Sequence, residues 1–114
     1  IIYKNISAFS AEERRMAMKK YKDFELNWKI NNYADFIAAL SIFDNWALNG
    51  AVTGEEFKVK EIIQNADPDL YNRLSRGDKC RVGRAVSTRF ANHYYSAIDR
   101  GDDKGATKTY FKFE

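Results

Sequence analysis

The side chains most able to do chemistry in this sequence crowd into one window. Between Arg73 and Asn92 stand six basic residues (Arg73, Arg76, Lys79, Arg81, Arg84, Arg89) against one acid, Asp78, a local net charge of +5. A concentration of this kind is the electrostatic footprint of an anion-binding face. Five of the six are arginines, whose planar fork suits bidentate contact with phosphate and guanine. Residues 1–50 carry seven basic and six acidic side chains, net +1. The chain's overall charge of +3 is too mild to imply a polyanion; the distribution implies it.

Other chemistries find little support. Cys80 and His93 are the only cysteine and histidine, too few for a zinc site of the Cys/His type. Cys80 is expected on the buried side of a helix, where a thiol is an inert core residue. No P-loop or dinucleotide-binding glycine fingerprint occurs. The loop from Asp99 superficially resembles a calcium loop, yet it lacks glycine at its sixth position and glutamate at its twelfth. Carboxylates are scattered without an acid/base pairing. The expectation is a protein that is no enzyme and takes no cofactor or metal.

The elements that must position the basic window can be read from caps and periodicity. Asp67-Pro68 is an N-cap followed by proline at the first helical position, opening a short helix with Leu70, Tyr71 and Leu74 on its apolar side. Ser75-Arg76-Gly77 reads as a turn, with Asp78 capping a second helix that runs to about Asn92. Val82, Val86 and Phe90 at i, i+4, i+8 predict its buried stripe, with Cys80 and Gly83 beside it. The opposite side then presents Arg81, Arg84, Ala85, Thr88 and Asn92, flanked by Ser87 and Arg89, with Arg76 and Lys79 at the turn and helix start. After His93 the period changes from 3.6 to 2. Tyr94–Ile98 and Thr107–Phe113 predict two strands joined by a polar, glycine-containing loop, which places Arg100, Lys104 and Lys108 on a hairpin. Two short helices, a tight turn and a hairpin constitute a helix-turn-helix with a wing, whose second helix enters the major groove of DNA. Asp99, Asp102 and Asp103 oppose DNA contact at the wing tip and suit a protein-recognition element instead.

The first half is helical. Ile1 to Phe9 suits a short strand or an anchored arm. Ser10-Ala11-Glu12-Glu13 is a capping box for a helix with Ala17, Tyr21, Phe24 and Trp28 on one face. Asn32 caps a second helix, Tyr33 to Leu48, stopped by Gly50; Ile42 and Trp46 lie off its main apolar stripe. Thr53-Gly54 is a turn, Glu55–Val59 a short strand, and Ile62 and Ile63 belong to a brief helix. The predicted fold is α+β and mainly helical. An N-terminal helical pair (1–50) precedes a winged helix-turn-helix with a C-terminal β-hairpin (51–114), all within one domain, 1–114. Of the 114 residues 45% are hydrophobic and 15% aromatic, enough to close a core without disulfides. No run reaches the length of a membrane span and no signal peptide is recognisable, so a cytoplasmic location without membrane contact is expected.

The stretch Gly54-Glu55-Glu56-Phe57-Lys58-Val59-Lys60-Glu61-Ile62, then Leu74, Arg81-Val82-Gly83-Arg84 and the tyrosine-bearing hairpin resembles small winged-helix proteins of Gram-positive bacteria and their phages or mobile elements. Their pattern is Gly-x-x-Phe, a helix, then Arg-x-x-Leu-Gly-Arg-x-Phe and a wing. Val82-Gly83-Arg84 matches the Leu-Gly-Arg portion, while Val86 stands where the family carries Phe. The resemblance spans roughly the last 60 residues and none of the N-terminal helices. It implies a winged-helix fold more than any activity.

The expected function is a small DNA-binding regulator of phage or mobile-element origin. Double-stranded DNA would be held by Arg76, Lys79, Arg81, Arg84, Ser87, Thr88, Arg89 and Asn92 on the recognition helix and by Arg100 and Lys104 on the wing. A homodimer would form through the N-terminal helices with Trp28 and Trp46. The alternative is an inhibitor of a bacterial defence nuclease, of anti-CRISPR type, engaging a nucleic-acid-bound nuclease complex through the basic helix or the acidic loop. A third reading is a structural or assembly module.

Overall fold

The computed structural model describes residues 29–102 and 107–114. The expected N-terminal arm, the helix expected over 10–28, and Lys104 lie outside the described residues. Asn32 takes an extended conformation, and its side chain accepts the Asp35 N–H at 3.1 Å. That bond satisfies one of the orphan donors at the start of helix α1 (Tyr33–Asn49). Phe36, Ala39, Leu40, Phe43 and Ala47 repeat at helical spacing and form its buried face. The Gly50 N–H closes the helix on the Trp46 carbonyl.

Gly54, at φ 71°, turns the chain into β1 (Phe57–Lys58). Helix α2 (Val59–Ala66) follows at once, because Glu61 reaches back to accept the Lys58 N–H at 2.8 Å. The expected strand over Glu55–Val59 is therefore shorter. Asp67 ends α2 with its N–H on Ile63 and starts α3 (Pro68–Arg73), its carboxylate accepting from the Leu70 N–H.

Leu74 and Ser75 then join α3 to α4 (Arg76–Ala91). Here the structure corrects the sequence reading. The cap is Ser75, whose hydroxyl accepts the Asp78 N–H at 3.1 Å, and Gly77 lies inside the helix. Ser75-Arg76-Gly77-Asp78 is itself a Ser-x-x-Asp helix start. At the far end His93 adopts φ 61°. Its N–H bonds the Phe90 carbonyl and the Tyr94 N–H bonds Arg89, the paired bonds of a Schellman motif. That motif, together with the burial of Tyr95, displaces the expected strand over Tyr94–Ile98. The strands are β2 (Ile98–Arg100) and β3 (Thr109–Lys112).

The three strands form an antiparallel sheet in the order β1-β3-β2, with Phe57 opposite Tyr110 and Ile98 opposite Lys112. The fold is α+β and mainly helical, as expected. Tyr110 is buried against the helices, its ring edge-on to Phe43 and Phe90. Phe43 also meets Tyr95 and Trp46, so aromatic edges join the helical layer to the sheet. Lys112 is buried, and its ammonium donates to the Ala47 carbonyl at 2.9 Å in the last turn of α1, where a cation complements the helix dipole. Burial, partly countered by Glu114, lowers the Lys112 pKa.

Candidate nucleic-acid interface

A groove of about 540 Å³ runs between α4, the β1–α2 junction and the start of β3. Its floor is the core itself, through Ile63, Leu74, Val82 and Tyr110. Its rim carries Lys58, Lys60, Lys79, Arg84 and Lys108, five cations with no carboxylate beside them among the described lining residues. The low-dielectric floor and the single sign of charge reinforce each other, because apolar walls focus the field of the rim charges.

Three segments supply these cations. Lys58 ends β1 and Lys60 lies in the first turn of α2, and with Val59 between them both lysines line the groove as the strand passes into the helix. On α4, Lys79, Cys80, Gly83, Arg84, Ser87 and Thr88 line the same wall. Lys79 sits over the Tyr71 ring, 4.6 Å from its centroid, a cation–π contact that holds the ammonium at the rim. Burial, and secondarily the neighbouring Cys80, raise the Tyr71 phenol above its ordinary pKa, keeping that residue a neutral donor. From the hairpin, Lys108 donates to the Ser87 hydroxyl at 2.6 Å.

The hairpin's root is held independently. Glu56 accepts the Asp102 N–H at 2.9 Å, and the Thr109 hydroxyl donates to the Asp102 carbonyl at 2.8 Å. Gly101 closes the turn with its N–H on the Thr109 carbonyl, where a Cβ would collide with Glu56 and Thr109.

Of the residues expected to contact nucleic acid, Lys79, Arg84, Ser87 and Thr88 converge on the groove. Arg76 is exposed as the first residue of α4, outside the lining. Arg81 is half-buried and donates to Asp78 at 3.0 Å. Asn92 is exposed, but its amide turns back to the Thr88 carbonyl. Arg100 lies on β2 with its guanidinium 5.6 Å from the Tyr110 ring centroid. Arg89 departs most from its expected place. It is 7% exposed and donates to Asp44 at 3.0 Å. Ala85, also expected outward, is buried, while Cys80, expected inward, is exposed. The buried stripe of α4 is thus turned by roughly a sixth of a turn from Val82/Val86/Phe90 toward Asp78, Ala85 and Arg89.

Asp78 explains part of that rotation. It is fully buried, and its two carboxylate oxygens accept the N–H groups of Asn31 and Asn32, each at 3.0 Å. Burial alone would raise its pKa, but these two bonds and Arg81 outweigh burial and lower it. Asn31 also donates to the Ser75 hydroxyl at 2.7 Å, so the starts of α1 and α4 are fastened together.

Lys58 and Lys60 were not expected at the site. Their places are set by the passage of β1 into α2 within two residues, which no periodicity in the sequence marks. Trp46, expected at a dimer interface, is half-buried against Phe43 and Phe57 and lines a separate apolar groove between α1 and α2. Among the described residues no cluster of three or more His, Cys, Asp or Glu could hold a metal ion, and no helix is long and apolar enough to cross a membrane. No family model matches the chain, and no curated protein or solved structure is significantly similar to it.

Proposed function

We propose that this chain is a small winged-helix protein that binds double-stranded DNA, a regulator of the kind that phages and mobile elements encode. The observation that carries the reading is the groove rim of five cations, with no carboxylate among the described lining residues, drawn from α4 and two other segments. The two-residue junction of α3 and α4, followed by an antiparallel hairpin, supports a helix-turn-helix and wing. In this reading α4 is the recognition helix. Arg84 offers the fork that guanine or phosphate accepts, while Lys58, Lys60 and Lys108 neutralise backbone phosphates.

Binding of the full chain to a random-sequence duplex across a salt series tests it. Each phosphate neutralised contributes a slope of about −0.9 to the logarithmic salt plot, so three to five contacts give a slope of roughly −3 to −5. Alanine at Lys58 and Lys60 together should flatten that slope by about 2. Absence of duplex binding at low salt, or a slope indifferent to these lysines, would overturn the proposal.

A further inference from the structure

We infer that Gly83 is a point of direct contact, where the edge of a DNA base pair comes against the backbone of α4. The inference rests on the DNA-binding reading above and specifies how deeply the helix is seated. Gly83 is the eighth of sixteen residues in α4, the part of a helix where glycine is least favourable after proline. A glycine held there ordinarily answers a need within the fold, either a positive φ or a close neighbour. Neither need is seen among the described residues. Gly83 is not at positive φ, and a Cβ built on it would meet nothing within 4 Å of those residues. Gly77, in the same helix, differs, since a Cβ there would run into the Arg81 side chain.

The vacancy beside Gly83 opens onto the cationic groove. Lys79, Cys80, Gly83, Arg84 and Ser87 follow at intervals of one, three, one and three, which places them on one helical face. Gly83 is the only member of that face with no side chain to stand between a ligand and the helix axis. A base edge can therefore approach there more closely than at any other position of that face, with Arg84 beside it to donate to guanine and the lysines outside it on phosphate.

The prediction separates stability from binding, which ordinarily fall together. With the full chain, Gly83→Ala should raise the Tm by about 2–5 °C, because alanine is the better helix former and the space is open. The same variant should bind a random-sequence duplex about tenfold more weakly, and Gly83→Leu more weakly still, each folded by circular dichroism. A Tm that falls on Gly83→Ala would mean that the chain itself fills the position and would overturn the inference. A raised Tm with unchanged duplex binding by both variants would overturn it too, while leaving the DNA-binding reading intact. Wild-type protein that fails to bind duplex would remove both.

Discussion

The ammonium of Lys108 lies 2.6 Å from the hydroxyl of Ser87, so the approach to β3 is hydrogen-bonded directly to the exposed wall of α4. Both groups are on the surface and the bond crosses the groove rim. The bond links the approach to β3 with the groove-facing side of α4.

Lys108→Ala should leave stability within about 0.5 kcal/mol of wild type, as exposed contacts of this kind contribute little. It should flatten the salt dependence of duplex binding by about 1 in slope. Thermal denaturation and a salt titration measure the two effects separately. An unaltered slope would remove Lys108 from the interface.

Arg89 should behave in the opposite manner. Its guanidinium donates to Asp44, and Asp44 also accepts the Tyr95 hydroxyl at 2.7 Å, joining α1, α4 and the segment before β2. Arg89→Ala leaves the Asp44 carboxylate with the Tyr95 hydroxyl but without its cation, and should cost about 2 kcal/mol. The salt slope of DNA binding should stay as it was in the surviving folded protein. A variant of normal stability with weakened binding would return Arg89 to the DNA face.

Asp78 predicts an acid limb. Its folded pKa lies below the ordinary 3.8 because the Asn31 and Asn32 N–H groups and Arg81 together outweigh burial. The folded state thus releases this proton more readily than the unfolded chain. The resulting stabilisation is complete above the unfolded value and is lost as pH falls through the lower folded one. Asp78→Asn should be less stable at neutral pH and should lose less stability than wild type on acidification below about pH 4. Parallel acid limbs in urea titrations of the two proteins would exclude Asp78 as a contributor.

His93 holds a left-handed conformation at the end of α4, which costs a residue with a Cβ about 1–2 kcal/mol and glycine almost nothing. His93→Gly should therefore stabilise the fold, by about 0.5–1 kcal/mol after the added freedom of the unfolded chain is deducted. A lowered Tm would show that the imidazole's contacts outweigh the backbone strain.

What the sequence made legible was local. Asn32, Asp67 and Pro68 act within one helical turn of themselves, and the structure places them where the caps were expected. The face of α4 was harder, because its rotation is set by partners distant in the chain. Asp44 draws Arg89 inward and Asn31 and Asn32 draw Asp78, none of which the spacing of Val82, Val86 and Phe90 can register. Lys58 and Lys60 escaped notice for a related reason. They flank α4 because β1 pairs with β3 and α2 packs against α4, and a charge count within a continuous window cannot see a charge that tertiary packing brings to it.

That pairing also fixes when the groove can exist during synthesis. The last strand in chain order, β3, is the middle strand of the sheet, and β1 and β2 do not bond each other. A nascent chain that has already made α4 and all its arginines still lacks a sheet for β1 to join. Phe57 and Lys58 gain a strand partner only once Tyr110 and Thr109 are there to pair with them. A fragment ending before Thr109 would carry the basic helix and all the groove's cations but leave β1 and β2 without the strand that joins them.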